Sequence, residues 1–468
     1  MDLPYEAQAS DGERVRWDWT RIFLLLTASL TATVGFEYEG LEVLRVAGIQ
    51  YLEFIYLFQI LVLIVLFPRQ RFRARLLRSV VTMGLLYAAF LLIAFVLSLW
   101  ALRNDFYLPT GLSFLKHPFW ITVSRMTELF LDVAIMLYLV QLFRANRSNL
   151  IFTLRTYFWV GTASAVFSMV TYPLNVYFQL NWGTYLVSHR MRGFYNEGGH
   201  YGIYVISVLL VGIVLVAERW ETRGRIQLAS VALCIALLGS QSKAAIFAAA
   251  LIMIFNALML RRAWARLGVI AALLLTVLAA SLIPAISESL IAYYKAPEKY
   301  EYLSNVEGER DLLYGRMAGA FMVRRMIEVH PWVGIGWGNY PIVRNSPEYR
   351  GGSKFVDFVD DPGLGLLGAT ADFGIPLTMF LIAITFYPYF YLRRRGAPLS
   401  LKNLALLQPV VHLCGAQLNL TYPWLITAFA LGLGYYHTRQ ELHSSAPPAS
   451  PSGPVGQSLP APFGVEAL

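Results

Sequence analysis

Long apolar runs separated by short polar turns dominate the chain. Runs near residues 21–36, 48–67, 79–102, 119–143 and 151–178 fill the first third. Others lie near 201–217, 226–241, 243–260, 266–286, 363–392, 403–419 and 422–437, some short enough to be tilted pairs or re-entrant segments. A helix rises about 1.5 Å per residue, so about 20 apolar residues cross the hydrocarbon core of a bilayer. The pattern predicts an all-α fold, a polytopic transmembrane helical bundle of about 12 spans. It divides the chain into a polar segment at 1–20, spans one to nine within 21–286, a large loop with short helices of its own at 287–362, and spans ten to twelve within 363–440. The tail at 441–468, rich in Pro, Ser, Gly and Ala, is predicted to be disordered. No small-residue cleavage site follows the first apolar core, so the first span is expected to stay attached.

Composition agrees. The chain is 57% hydrophobic and 14% charged, whereas a soluble domain carries roughly 25% charged residues, so a water-soluble fold is excluded. A formal charge of +9, from 38 Lys plus Arg against 29 Asp plus Glu, would suit nucleic acid, but the positions of the charges give it another meaning. Arg69, Arg71, Arg73, Arg75 and Arg78 follow the second run, Arg144 and Arg147 the fourth, Arg219, Arg223 and Arg225 the sixth. Arg261 and Arg262 follow the eighth, Arg393, Arg394 and Arg395 the tenth. Basic residues near span ends are retained in the cytoplasm, so this alternation puts the even-numbered loops and both termini inside and the other loops outside. No nucleic-acid partner is expected. Cys234 and Cys414 lie within apolar segments and read as small buried hydrophobes, which supports neither disulfides nor a metal cluster.

The outer segments carry the candidate chemistry. SHRMRGFYNEGGHYG places Arg190 and Arg192 beside Gly193, Gly198 and Gly199, just before a span and against the topological bias. Guanidinium forks match phosphate oxygens, and glycines let backbone amides approach an anion; pairing with Glu197 or with lipid headgroups is the plainer alternative. In GSQSKAA, Lys243 stands at or near a helix start, where its ammonium adds to the partial positive charge of the terminus, or simply snorkels to the interface. The loop sequence YGRMAGAFMVRRMIEVHPWVGIGWGNYP reads as an amphipathic helix from Arg316 to Glu328, a break at His330-Pro331, and a tight turn at Gly334, Gly336 and Gly338. His330 is a candidate general base or a helix-end packing residue. Asp357, Asp360 and Asp361 offer carboxylates toward a hydroxyl, or form a solvated turn. Trp182, Trp332, Trp337 and Tyr340 can face sugar rings or belong to an interfacial belt. Inside the apolar runs, Glu53, Arg125, Glu128, Asp132 and Asp372 are costly unless paired. Arg125, Glu128 and Asp132 share a helix face and fit either a proton path or internal pairing.

From about Arg192 to Pro376 these motifs resemble the bacterial O-antigen ligase and Wzy-type polysaccharide polymerase superfamily. The resemblance is carried by RGFYNEGGH opening a span, by Ser242-Lys243 where the family has a Ser-Arg turn, and by Gly315-Arg316 followed by Pro331-Trp332-Val333-Gly334-Ile335-Gly336. It implies a membrane glycosyltransferase in the bacterial inner membrane with one large periplasmic loop and its active site facing the periplasm. The implied donor is an undecaprenyl-pyrophosphate-linked oligosaccharide, with membrane lipids, a chain-length regulator and a flippase as the other implied partners, and with no cofactor or metal. Carried over, Arg192, Lys243 and Arg316 become the pyrophosphate clamp, with Arg316 also catalytic. Read from the residues, Arg190 and Arg325 extend that set, Asp360, Asp361 and His330 are the candidate catalytic groups beside Arg316, and Trp332, Trp337 and Tyr340 are the candidate sugar-binding set. Lys243 keeps the charge of the family's Arg but not its bidentate fork. The family's ligases carry a His shortly before the span that closes the loop, whereas FVDFVDDPGLGLLGATADFG has none, which favours a polymerase. A ligase joining glycan to lipid A core or another acceptor is the alternative. A lipid-linked glycan transporter or flippase is the second; such proteins often show related halves and broken helices at the bilayer centre.

Overall fold

The computed structural model describes residues 19–32, 51–66, 78–103, 117–179, 182–184, 189–195, 198–259, 267–268, 271, 316–350, 364–414, 418 and 420–444. These residues are helical apart from turns and one isolated bridge between Thr184 and Met191. The helices are α1 (Trp19–Leu30), α2 (Tyr51–Leu66), α3 (Arg78–Ala101), α4 (Pro118–Ala145), α5 (Arg147–Phe178), α6 (Gly198–Ala217) and α7 (Arg223–Gly239). They continue as α8 (Lys243–Met259), α9 (Arg316–Val329), the short α10 (Tyr340–Val343) and α11 (Pro347–Arg350), α12 (Leu366–Arg394), α13 (Leu399–Leu413) and α14 (Thr421–Ser444).

A helix covers each predicted apolar run except 266–286, of which only 267–268 and 271 are described. Among the described residues, five stretches are long and apolar enough to cross a membrane: Val80–Ala101, Pro118–Ala145, Arg147–Phe178, Gly198–Ala217 and Leu366–Arg394. Large apolar side chains face outward, among them Leu85, Leu92, Ile213, Leu228 and Leu238, as a hydrocarbon surround permits. Cys234 is one of the outward residues and Cys414 is half-buried, so neither is the fully buried small hydrophobe that the sequence predicts. In a chain whose surroundings are apolar, an apolar run does not mark which of its faces is inside.

One large core joins the bundle. α5 packs on α1, α6 and α7, α13 on α14, α12 and α6, and α14 on α4. Tyr157, Tyr195, Tyr201, Tyr204, Tyr422 and Trp424 are fully buried in it. Hydroxyls in that core need partners: Tyr195 donates to the Thr31 carbonyl at 2.7 Å, and Ser168 pairs with Tyr201. Buried threonines return their hydroxyls to the preceding turn, as Thr162 does to Phe158. A single residue, Asn146, closes α4 with its N–H to Leu142 and caps α5 with its side chain, which accepts from the Ser148 N–H at 2.8 Å.

A second, smaller core belongs to the loop. Met322, Val323 and Met326 of α9 pack with Ile335, Tyr340, Val343 and Tyr349 and with Ala371 of α12. The predicted loop helix is therefore real, and it is seated on the first turns of α12.

Candidate functional site

Four chain segments meet around Arg190. Its Nε donates to the Ser240 carbonyl at the end of α7, 3.0 Å away, where the helix dipole leaves partial negative charge. The Met191 N–H donates to the Gly239 carbonyl at 2.9 Å, and the Arg192 N–H to the Gly183 carbonyl at 2.8 Å. Ser242 stands immediately before α8; its Oγ accepts the Ala245 N–H at 3.1 Å and donates to the Gly199 carbonyl at 2.9 Å. The starts of α6 and α8 are thus tied together, with Arg190 beside the first and Lys243, exposed, as the first residue of the second. Two helix N-termini, the Arg190 guanidinium and the exposed Lys243 ammonium concentrate positive charge at this end of the bundle. Arg192 is 5% exposed, held within the turn by its main chain.

The glycines serve chain packing more than ligand access. Gly193 has φ +55°, and a Cβ there would lie 2.5 Å from the Ser164 Oγ and collide with the Tyr201 ring. A Cβ on Gly198 would lie 2.9 Å from the Ser240 carbonyl oxygen and 3.3 Å from Arg190 Nη2. These residues let the arginine segment lie flat on the ends of α6 and α7.

The loop is fixed to α12 through main-chain groups. α12 breaks at Gly374, with φ 75° and ψ 168°, and Pro376 lacks the N–H that would reach the Asp372 carbonyl. Three groups are thereby released from the helix, and the Pro331–Gly336 segment meets all of them. Ile335 N–H donates to Ala371 O at 2.8 Å, Gly336 N–H to Asp372 O at 3.1 Å, and Ile375 N–H to Pro331 O at 2.8 Å. Gly334, at φ +73°, would put a Cβ 2.5 Å from both the Ala371 and Asp372 carbonyl oxygens, and a Cβ on Gly374 would strike the Trp332 carbonyl. The turn is also pinned to the bundle: Thr122 Oγ1 donates to the Trp337 carbonyl at 3.0 Å, and Trp337 N–H to Ser98 Oγ at 3.2 Å. The PWVGIGWGN motif is a docking clamp.

Near the end of α9, His330 Nε2 lies 2.7 Å from the Tyr349 hydroxyl. Burial holds the imidazole below its ordinary pKa, with the Glu348 carboxylate acting against that shift. Burial raises the Tyr349 phenol, and Glu348 adds to the effect. His330 is therefore held toward its neutral form, with Nε2 facing the Tyr349 hydroxyl. Arg325 Nη1 donates to the Tyr349 carbonyl at 3.2 Å, so it ties α9 to α11.

Arg190, Arg192 and Lys243 are brought together, while Arg325, His330 and Trp332 share the loop. Arg316 opens α9, as the sequence predicts, but its side chain lies outside the described residues, as do Glu197, Asp357, Asp360 and Asp361 and the side chain of Glu53. Trp332 is 71% exposed. Trp337 is packed edge-on against Phe373, and Tyr340 lies in the loop core, so both rings are engaged by the protein itself. Arg125 and Glu128 form an ion pair at 3.0 Å, and Asp132 is fully buried. Asp372 Oδ2 accepts the Gly338 N–H at 3.4 Å. Sequence reasoning missed Arg344, which is buried in the loop with its guanidinium 5.9 Å from the Tyr340 ring centroid. Nothing in its spacing distinguishes it from a solvated arginine. Among the described residues no group of three His, Cys, Asp or Glu could hold a metal ion.

A family model described as Wzy_C, O-antigen ligase, matches residues 228–382. That stretch of the chain is similar to the O-antigen ligase family, in agreement with the motifs read from the sequence. The matched stretch holds Lys243, the whole loop and the break in α12, while Arg190 and Arg192 precede it. No curated protein matches the chain.

Proposed function

We propose that the chain is a polysaccharide polymerase of the inner membrane, transferring a glycan from undecaprenyl pyrophosphate to a lipid-linked repeat unit at the periplasmic face. One observation carries the reading: Arg190 and the exposed Lys243 gather where α6 and α8 begin, with Arg192 buried in the same turn, a concentration of positive charge suited to a departing pyrophosphate. The acceptor hydroxyl oxygen attacks the anomeric carbon as the bond from that carbon to the pyrophosphate oxygen breaks. The leaving group takes the electron pair, and the configuration inverts. Arg190, Arg192, Lys243 and Arg316 neutralise the charge that develops, while Arg325 ties α9 to α11 within the loop. Asp360 or Asp361 accepts the hydroxyl proton, and the neutral His330 imidazole is the alternative acceptor. Trp332 is the ring best exposed to meet a sugar.

A ligase acting on lipid A core or another acceptor would use the same donor. The family description and a half-buried His330 within the matched stretch support that second reading. A deletion strain complemented with wild type, Arg192→Ala or Arg316→Ala separates them by surface glycan length. A polymerase defect leaves single-repeat products, whereas a ligase defect accumulates long lipid-linked polymer. Normal glycan in both variants would refute the clamp.

A further inference from the structure

The opposite end of α6 carries a second cationic feature. α6 has 20 residues, so its C-terminus lies about 30 Å from the Arg190 site. There Arg155, Arg219, Arg223 and Arg225, with Trp220, Glu221 and Thr222, line an open cavity of about 610 Å³. Four guanidinium groups face a single carboxylate, and that one is engaged: Arg155 Nε is 3.2 Å from Glu221 Oε1. Arg155 also donates to the Trp220 carbonyl. Among the described residues, Arg219, Arg223 and Arg225 have no carboxylate within ion-pair distance.

The floor of the cavity is built rather than loose. Trp220 N–H returns to the Leu215 carbonyl at 2.9 Å, and the Arg147 guanidinium lies 5.4 Å from the Trp220 ring centroid. Arg219 holds φ 56°, a conformation that favours glycine. The first turn of α7 opens on the same space, and Thr222 supplies no side-chain cap, so its N–H groups add partial positive charge. Leu228 and Val231 continue outward along α7, 76% and 57% exposed. An apolar strip leading to a cationic recess matches a lipid with its acyl chains on the helix and its headgroup in the cavity.

We propose that this cavity binds a phosphate group, supplied by an anionic membrane lipid or by a soluble phosphorylated ligand. The site stands on its own residues and goes beyond the proposed transfer reaction.

The test uses the purified full chain and the triple variant Arg219→Gln, Arg223→Gln, Arg225→Gln. Arg155 is left in place because it holds Trp220 and Glu221. Retention of phosphatidylglycerol against phosphatidylcholine is read by native mass spectrometry, and unfolding midpoints are taken with either lipid or with inorganic phosphate. Each arginine near an anionic surface is worth about fivefold, so the triple variant should lose affinity on the order of a hundredfold. Its midpoint without additive should stay at the wild-type value. Wild-type selectivity for phosphatidylglycerol alone assigns the site to a lipid, and a response to inorganic phosphate assigns it to a soluble ligand; the triple variant must lose whichever appears. If the triple variant does not fold, Arg223→Gln alone is scored in the same way. Equal retention of both lipids with no phosphate response, or a variant that binds like wild type, would overturn the proposal.

Discussion

Gly334→Ala should undock the loop from α12. An Ala Cβ would sit 2.5 Å from two carbonyl oxygens that belong to the broken part of α12 and cannot turn aside. At φ +73°, an L residue also carries a backbone penalty of roughly 1–2 kcal/mol. Relief requires the segment to lift, which breaks the bonds from Ile335 to Ala371 and from Gly336 to Asp372. A buried group left without its partner costs about 1–3 kcal/mol. Docking should therefore weaken by roughly 3–8 kcal/mol. Native-state hydrogen exchange reads this directly, because each 1.4 kcal/mol lost opens the Ile335 amide about tenfold more often. Gly368→Ala is the control: it lies on the same helix, and its nearest neighbour would be an ordinary 3.8 Å away. There Ala should be neutral or stabilising by up to about 1 kcal/mol. Wild-type protection of Ile335 in Gly334→Ala, or equal damage from both substitutions, would refute the reasoning.

Gly193→Ala should displace the arginine segment, since its Cβ meets Ser164 and Tyr201 at φ +55°; loss of glycan synthesis from a folded, membrane-inserted protein checks it. Ser242→Ala removes the cap of α8 and the bond to Gly199, and should lower stability by about 1 kcal/mol in thermal unfolding. His330 has a lowered folded pKa, so below its ordinary value of 6.5 the undocked loop binds the proton that the docked loop refuses. Loop protection should accordingly be full above that pH and fall as pH drops through it, and His330→Gln should flatten the profile. Tyr349→Phe removes the partner 2.7 Å from His330 and should shift that profile while leaving the Ile335 amide protected at neutral pH.

The helices were legible because a bilayer allows few alternatives, and periodicity placed α9 from Arg316 with its end before His330-Pro331. The pairing of Arg125 with Glu128 followed from their spacing of three. The function of PWVGIGWGN did not follow. Its partners are carbonyls released by Gly374 and Pro376, far along the chain, and no local pattern records which main-chain groups another segment leaves open. For the same reason Trp337 and Tyr340 read as ring platforms in the sequence, although the fold turns them inward. Arg190 and Lys243 were identified individually; their common location depends on Ser242 reaching Gly199, a contact between two span ends.

The clamp between the loop and α12 uses carbonyls and amides that every residue type possesses. Gly334, Gly336, Gly374 and Pro376 are fixed by it. Trp332 and Val333 lie inside the clamped stretch, yet their side chains take no part in those three bonds. Descendants of this sequence can exchange those side chains while the loop keeps its register on the helix. Variation in what the loop presents is thereby separated from constancy in where the loop sits.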